Sequence, residues 1–384
     1  MKTFIKLCVY YIRSYMQRTD RTLWLLCFAL SCFSIVLILG ILDSGYAQDL
    51  RISTRNVYVQ GAAVLIGAGC AVITSLIDYK SLAKLWKLHV PLCYGLMIMT
   101  FFIGVGASAR PGDRRWLLVP LANVSFQPSE LLRISFILVF AYHIFMVREK
   151  INHPLYTASL AIHAAIPIIL MYYQGDSGSA LILAVIVVTM LFCSGINWAY
   201  LVGAGVLTGV SLPLFWYFVL NDFQRERMTA ILNITDADTQ GIFFQQYRAK
   251  IALAMGGEGG VGIFDAPHIY VPEMHNDFIF TFLGESTGFV GSLLTITVMV
   301  VIWFKIQLCA SRAKDLLGGM ICMGVFSMLA AQTLINIGMN ISLLPVIGNP
   351  LPFISYGGSS VLTSYLGIGL VLSVHMHSSK SMFE

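Results

Sequence analysis

The 384-residue chain is 57% hydrophobic and only 11% charged, and its formal net charge is +5. Soluble globular domains carry about 25% charged residues, so this composition excludes a soluble domain and indicates a protein with many membrane spans. The modest charge includes no basic run that would indicate nucleic-acid binding. The eight cysteines form no Cys-x-x-Cys pair and lie in or beside apolar stretches or on the predicted inner side. We therefore expect neither a disulfide framework nor a cysteine metal site.

The N-terminal segment, residues 1–22, mixes basic and aromatic side chains such as Lys6, Tyr10, Tyr11 and Arg13. This pattern predicts an amphipathic helix at the membrane interface, with a frayed cytoplasmic tail as the alternative. The apolar span that follows is too long for an ordinary cleaved signal peptide, so we expect an uncleaved anchor.

Ten apolar spans follow, each close to the ~20 residues that a helix needs to cross a bilayer. They are Leu23–Leu42, Val57–Ile77, Leu88–Val105, Leu131–Val147, Leu155–Tyr173, Ser179–Cys193, Trp198–Leu220, Phe278–Phe304, Met320–Ile337 and Ser360–Val374. The sequence therefore predicts an all-α polytopic membrane protein of about ten transmembrane helices, built as a single membrane domain over residues 1–384. An even number of spans puts both termini on the same side.

Lysine and arginine decide which side that is, because they accumulate in short cytoplasmic segments. With the N-terminus inside, 14 of these residues fall in inner segments and five in short outer loops. Both termini are thus predicted to be cytoplasmic, and residues 221–277 form one large extracytoplasmic loop between helices 7 and 8.

This loop is the longest polar segment of the chain. It contains Arg225, Arg227, Arg248 and Lys250 and a glycine-dense stretch, AMGGEGGVGIF. The stretch matches neither a P-loop nor a dinucleotide fingerprint, so we expect its glycines to allow tight turns and close backbone approach. His268 and His275 could ligate a metal, although two separate histidines more often make ordinary hydrogen bonds.

Charged residues also stand at the predicted starts of helices. Glu130 and Arg133 are one turn apart on the fourth span, which indicates a buried pair or polar cavity, with snorkelling as the alternative. Asp176 and Asp277 each precede a helix, so each is either an N-cap or a site residue. Their outward position beside a basic loop favours a site.

Two further stretches carry candidate functions. Arg114 and Arg115 adjoin Trp116 and form either a membrane anchor or part of a site. Residues 338–359 contain three prolines and a Gly-Gly pair, which disfavour a regular helix. Irregular backbone at membrane depth must line a cavity or be buried in protein, so we interpret this segment as a re-entrant or loop wall of a substrate groove.

Four motifs in these regions resemble the SEDS family (shape, elongation, division and sporulation), which includes RodA and FtsW. They are FQPSE at 126–130, GDSGSA at 175–180, PEMHNDFIF at 272–280 and NPLPFISYGGSS at 349–360. The similarity covers nearly the whole chain, and the short termini and the NIGMNISLLPV stretch are more similar to the RodA branch than to the FtsW branch. Departures from the family pattern include Arg133 where lysine is usual, Ser286 for a common glutamate, and Ser342 for a usual glycine.

The resemblance implies a glycosyltransferase that polymerises lipid II into glycan strands at the outer face of the bacterial cytoplasmic membrane, for elongation and shape or, in the FtsW-like alternative, for septation. It implies a class B penicillin-binding protein as partner, Asp277 as the essential loop aspartate, and Asp176 and Glu130 as supporting acids. Arg114, Arg115, Arg225, Arg227, Arg248 and Lys250 are then candidates to bind the pyrophosphate. No tightly bound cofactor is expected, but Mg²⁺ or Mn²⁺ could supplement them.

Two other functions compete with this one. A lipid II flippase explains the ten helices and the intramembrane charge equally well, but it explains less well why acid and base cluster on the outer face. A non-catalytic scaffold leaves Glu130, Asp176 and Asp277 without a role.

Overall fold

The computed structural model describes residues 10, 13–106, 114–119, 124–218, 220, 225, 244–265 and 267–378. Arg227, residues 226–243 of the predicted outer loop and residues 1–9 of the N-terminal segment lie outside the described residues. The helices are α1 Arg21–Asp43, α2 Thr54–Leu76, α3 Tyr79–Lys84, α4 Trp86–Ile103, α5 Pro128–Val147, α6 Pro154–Tyr173, α7 Ser177–Cys193, α8 Trp198–Phe218, α9 Phe244–Gly256, α10 Ile279–Ser311, α11 Leu316–Asn340 and α12 Gly358–Ser378. A hairpin of β1 Leu117–Val119 and β2 Val124–Phe126 precedes α5.

Each of the ten predicted spans overlaps one of these helices. Eight of the described helices are long and apolar enough to cross a membrane, and α7 and the Trp198–Ser211 part of α8 are shorter apolar helices. This agrees with the prediction of a polytopic membrane protein, to which the structure adds the short hairpin and two helices outside the spans, α3 and α9.

The core is built around α5, α11 and α12, whose most apolar stretches are 61%, 78% and 78% buried inside the protein. The most extensive helix contact runs between α12 and α2. Small residues allow it, since a Cβ added at Gly67 would stand 2.9 Å from the Tyr365 ring and one at Gly369 would stand 2.8 Å from Ala71. Close approach at small residues is how membrane helices gain packing energy without a hydrophobic driving force.

Ion pairs mark one end of the bundle, which we call the Asp315 end. Lys305 Nζ lies 2.8 Å from Asp20 Oδ2, and Lys80 Nζ lies 2.7 Å from Asp315 Oδ2. The Tyr79 hydroxyl donates to the same Asp315 carboxylate at 3.0 Å. The lysine and arginine count assigns this end to the cytoplasm.

At the opposite end, the glycine-dense stretch docks onto a break in α10. Gly288 has a φ of 66° and a ψ of −165°, which interrupts the helix. The backbone nitrogens of Phe289 and Val290, next to the break, donate to the carbonyls of Gly257 and Glu258 at 2.9 and 3.1 Å. In return, Val261 N donates to Glu285 O at 2.9 Å.

A side chain at Gly260 would clash with the backbone of Ser286, and Gly260 has a φ of 82°. The prediction that these glycines permit turns and close backbone approach is therefore confirmed.

Residues 341–357 connect α11 to α12 without regular structure. The second half of this segment is packed inside the protein, where Leu351, Phe353 and Ile354 are at most 1% exposed, whereas Leu343 in its first half is 69% exposed. Gln60 Nε2 in α2 donates to Ser355 O at 3.1 Å, and the Ser34 hydroxyl in α1 donates to Ile354 O at 2.5 Å. Protein groups thus satisfy backbone carbonyls that hydrocarbon could not.

Candidate functional site

Asp277 lies in a short turn immediately before α10. The N-cap position of that helix is Phe278, which makes no side-chain capping bond, so Asp277 precedes the N-cap rather than occupying it. Asp277 is half-buried.

Three consecutive carbonyls in this turn accept hydrogen bonds from the two segments that follow α10. Asp277 O accepts from Asn336 Nδ2 at 2.9 Å and from Asn340 Nδ2 at 3.0 Å. Asn276 O accepts from the Ser355 hydroxyl at 2.6 Å, and His275 O accepts from Tyr356 N at 2.9 Å. We call Asn336, Asn340, Ser355 and Tyr356 the carbonyl cradle. Because these contacts use the main chain, they fix where the Asp277 side chain begins without using its carboxylate.

The cradle itself is tied to the rest of the structure. Asn340 Oδ1 accepts from Thr281 N at 3.0 Å and from the Thr281 hydroxyl at 2.6 Å. Asn336 Nδ2 also donates to Asn349 O at 2.7 Å. Asn336 and Asn340 are fully buried, and buried amides in a connected network give a rigid, specific geometry.

Gly348 connects the Asp277 turn to the Asp176 region. A Cβ added at Gly348 would stand 3.3 Å from Asp277 Oδ2, so the carboxylate lies directly over this glycine. On the other side, a Cβ at Gly178 would stand 3.0 Å from the Ile347 side chain and 3.5 Å from Gly348 O. The motifs around Asp176 and Asp277, about 100 residues apart in sequence, therefore both lie beside Gly348 of the irregular segment.

Asp176 is the N-cap of α7, and its Oδ1 accepts from Ser179 N at 3.2 Å. It also has site-like contacts: Oδ2 accepts from Gln127 Nε2 at 2.7 Å and from the Ser129 hydroxyl at 2.8 Å. Arg115 Nη1 approaches Oδ1 to 3.7 Å. Asp176 is thus both a cap and the centre of a buried network.

Two opposing effects set the charge of Asp176. Burial raises the pKa of its carboxyl, but the Arg115 guanidinium and the hydrogen bonds from Ser179 and Ser129 outweigh burial and hold the pKa below its ordinary value. Asp176 is therefore an anion at neutral pH, which makes it unsuitable as a proton donor and suitable for orienting cations.

Glu130 and Arg133 form an ion pair on α5. They are 2% and 1% exposed, so the snorkelling alternative is wrong and the buried-pair prediction holds. Glu130 Oε2 and Arg133 Nε and Nη1 are buried without a hydrogen-bond partner among the described residues, so polar capacity remains here for another group.

The candidate cations are distributed unevenly. Arg115 belongs to the Asp176 network, whereas Arg114, which is exposed, donates through Nη1 to Phe101 O at 2.8 Å. Arg225 donates to the carbonyls of Trp216 and Tyr217, both at 2.8 Å, at the end of α8. Arg248 donates to Tyr270 O at 2.8 Å, and Lys250 is exposed on α9.

Sequence reasoning missed Glu285. It is 1% exposed inside α10, its Oε2 lies 3.4 Å from His268 Nδ1, and its Oε1 accepts from Ile269 N at 2.7 Å. An acidic residue within an apolar span was the available signal. Glu285 and His268 join the outer loop to α10 beside its break, so His268 has a structural partner.

Within the described part of the chain, no three or more histidine, cysteine, aspartate or glutamate side chains are placed to hold a metal ion. Burial lowers the pKa of His275, whose carbonyl is part of the Asp277 turn.

Comparisons with known proteins agree with this arrangement. The family model described as FtsW/RodA/SpoVE cell cycle protein matches residues 20–380. The probable peptidoglycan glycosyltransferase FtsW of Geobacter metallireducens is 30% identical over 368 residues, covering 93% of this chain and 95% of that protein. The peptidoglycan glycosyltransferase MrdB of Escherichia coli K12 is 30% identical over 363 residues, covering 93% and 94%.

Solved structures match along nearly the full length. A chain from a study of polymerization and crosslinking by a peptidoglycan synthase complex superposes with a TM-score of 0.76 at 25% identity, covering 94% of this chain and 99% of that one. An aspartate-to-alanine mutant of the rod shape determining protein RodA of Thermus thermophilus gives 0.68 at 23% identity, covering 94% and 99%, and shows the same fold. The chain belongs to the FtsW/RodA/SpoVE family of cell cycle proteins, the SEDS family.

Proposed function

We propose that this multi-pass membrane protein is a peptidoglycan glycosyltransferase that polymerises lipid II at the outer face of the bacterial cytoplasmic membrane. The main support is the carbonyl cradle, which holds the Asp277 turn so that the carboxylate lies over Gly348. The Asp176 motif lies on the other side of Gly348. Relatives that are 30% identical over 93% of the chain bear the name peptidoglycan glycosyltransferase. A flippase explains less well why acid and base cluster at the outer face, and a scaffold leaves Glu130, Asp176 and Asp277 without a role.

The chemistry requires one base. The 4-hydroxyl oxygen of the acceptor sugar attacks the anomeric carbon of the donor, and the bond to the pyrophosphate oxygen breaks with its electron pair on the leaving group. Asp277 takes the hydroxyl proton, and the pyrophosphate leaves as an anion without protonation. General-base catalysis of this kind is typically worth about 10²–10⁴ in rate.

Positive charge must stabilise the leaving pyrophosphate. Arg115 is the best placed described cation, since it reaches the Asp176 network while remaining 10% exposed. Arg133 adds buried N–H groups nearby. Lys250 on α9 is a further candidate, whereas Arg114, Arg225 and Arg248 each donate to backbone carbonyls and are less suited. A divalent cation, Mg²⁺ or Mn²⁺, would supplement these charges and could be oriented by the Asp176 carboxylate.

The direct test is synthesis of glycan from purified lipid II by this protein, alone and with a class B penicillin-binding protein, resolved on gels. Polymer that depends on this chain supports the proposal. If the protein makes no glycan in either condition but moves lipid II across vesicle membranes, it is a flippase.

We further propose a role in cell elongation and shape, as in the RodA branch, because the NIGMNISLLPV stretch is more similar to that branch. The FtsW-like septal role is the alternative, and the relatives named FtsW and MrdB are equally identical to this chain at 30%. Depletion that produces round cells supports elongation, whereas depletion that produces filaments supports septation.

The proposed orientation predicts the outcome of cysteine labelling. In a background free of native cysteine, Phe264→Cys and Ser311→Cys place single thiols at exposed positions, one in the outer loop and one at the Asp315 end. An impermeant maleimide applied to intact cells should label only position 264. Labelling of position 311 alone would invert the topology and put Asp277 in the cytoplasm.

Asn340→Asp tests the carbonyl cradle. The substitution keeps the shape and the acceptor for Thr281 but replaces the donor to Asp277 O with a second acceptor. Asp277 O keeps its bond from Asn336, but the new carboxylate oxygen is buried against this carbonyl without a donor, and an unsatisfied buried polar atom costs about 1–3 kcal/mol. If that cost falls on the positioning of Asp277, kcat for glycan synthesis should fall roughly 5- to 150-fold, with little change in KM.

Asn152→Asp is the matched control, because Asn152 Oδ1 only accepts, from Asn197 N at 2.7 Å, and an aspartate keeps that bond. If Asn340→Asp is as active as Asn152→Asp, the cradle does not position the site.

A further inference from the structure

An apolar groove near the Asp315 end has no role in the proposed reaction. It lies between the helical segment 13–18, the first half of α1 and the last two turns of α2, and its volume is about 830 Å³. Its wall includes Tyr15, Trp24, Leu25, Phe28, Val72 and Leu76. Leu25, Phe28 and Leu76 are 68%, 44% and 57% exposed within the protein. We call this the Trp24 groove.

The polar atoms of the wall are satisfied within the wall. Trp24 Nε1 donates to the Tyr15 hydroxyl at 3.1 Å, and that hydroxyl lies 2.9 Å from the Ser75 hydroxyl. The remaining surface of the groove is therefore apolar, and a bound molecule does not need to form hydrogen bonds with Trp24 or Tyr15. Its volume falls within the roughly 300–1,000 Å³ of small-molecule sites, and a hydrocarbon chain satisfies both conditions.

The mouth of the groove is positively charged. Arg21 lines it, and its Nε donates to Met16 O at 2.6 Å, which holds the guanidinium where segment 13–18 meets α1. Arg13 and Arg18 are exposed nearby in sequence. Asp20 does not cancel this charge, because its carboxylate is paired with Lys305 at 2.8 Å and accepts from Leu23 N at 3.1 Å.

The groove is at the end that the lysine and arginine count assigns to the cytoplasm. An arginine in the wall of an apolar groove at the cytoplasmic surface, with two more exposed arginines nearby in sequence, is complementary to an anionic lipid, because lysine and arginine near such a surface are attracted to anionic lipids. We propose that the Trp24 groove binds one anionic phospholipid of the inner leaflet, with an acyl chain along its apolar wall and the phosphate at Arg21. This site is independent of the Asp277 chemistry.

The test uses fluorescence quenching, because Trp24 is part of the wall. The full-length protein is reconstituted in phosphatidylcholine vesicles that contain increasing fractions of phosphatidylglycerol brominated in its acyl chains. The difference in quenching between wild type and Trp24→Phe isolates Trp24 from the other five tryptophans. Half-maximal quenching of Trp24 should require a mole fraction of brominated phosphatidylglycerol at least about fivefold lower than that of equally brominated phosphatidylcholine.

Two variants separate charge from groove. In Arg21→Gln, the lipid fraction that gives half-maximal Trp24 quenching should become nearly the same for phosphatidylglycerol and phosphatidylcholine. Gly69→Phe should abolish the Trp24 component, because a Cβ at Gly69 meets nothing within 4 Å and a phenyl group can therefore occupy the groove without strain.

The matched controls are Arg312→Gln, an exposed arginine at the same end, and Gly61→Phe, an equally open glycine on α2 outside the groove. Both should behave as wild type. The proposal is overturned if the two lipids quench Trp24 equally in wild type, or if Gly69→Phe leaves the Trp24 quenching intact. It is also overturned if a transmembrane helix of a co-purified protein occupies the groove instead of lipid. Such a helix would crosslink to position 69.

Discussion

Asp277→Asn is expected to abolish glycan synthesis while leaving the fold intact. The four donors of the carbonyl cradle bind the main-chain carbonyls of residues 275–277, so they remain when the side chain changes. Asparagine has nearly the same shape as aspartate but cannot accept a proton as a base. The rate of polymerisation from purified lipid II should fall by at least about 100-fold, whereas lipid II binding should change much less because the cations remain.

Asp49→Asn is the matched control, since it makes the same substitution at an exposed carboxylate and should retain activity. If Asp277→Asn polymerises lipid II at close to the wild-type rate, Asp277 is not the base. The base must then be sought at Glu130 or Asp176, and the low pKa of Asp176 makes it the weaker of the two.

Much of the fold could be predicted because the bilayer dictates span length and composition. The ten apolar stretches correspond to α1, α2, α4 to α8 and α10 to α12, with boundaries that differ by a few residues. The break in α10 could not be predicted in this way, since the span remains apolar overall and the polar residues Glu285, Ser286 and Thr287 before Gly288 do not by themselves predict a break. Its cause is non-local: the groups freed by the break bond to Gly257 and Glu258, about 30 residues earlier.

The candidate site was predicted in part. Asp277, Asp176 and the Glu130–Arg133 pair were recognisable as charges at helix starts and as family motifs. The cradle was not, although Asn336 and Asn340 are four residues apart on one face of an apolar helix, which is an unusual placement for two amides. Their partners are carbonyls, and no sequence pattern states which carbonyl a side chain will meet.

One departure from the family pattern has a visible structural cost. Ser342 stands where the family usually has glycine, and it adopts a φ of 59° in the segment after α11. Positive φ is uncommon for residues other than glycine and costs on the order of 1–3 kcal/mol. Ser342 is 7% exposed, and the contacts around it hold serine in a backbone shape for which glycine would be the expected residue.

Glu130→Gln should cause the largest loss of stability. The pair is almost fully buried, so removing the carboxylate leaves the Arg133 guanidinium charged with no counterion within α5. Breaking a buried ion pair by removing one partner typically costs about 3–5 kcal/mol, whereas replacing both partners by uncharged groups is often neutral. Glu130→Gln combined with Arg133→Met should therefore be more stable than Glu130→Gln alone, measured as the midpoint of thermal unfolding in detergent.

The control for this prediction is the exposed pair of Arg148 and Glu149, whose charged atoms lie 4.0 Å apart. Glu149→Gln should change stability by no more than about 0.5 kcal/mol, because solvent screens that pair. If Glu130→Gln is equally mild, the Arg133 charge is compensated by another group. If instead the double variant is less stable than Glu130→Gln, the attraction within the pair exceeds the cost of its burial. Comparing the polymerisation activity of the two variants then decides whether that attraction also orients Arg133 toward the substrate.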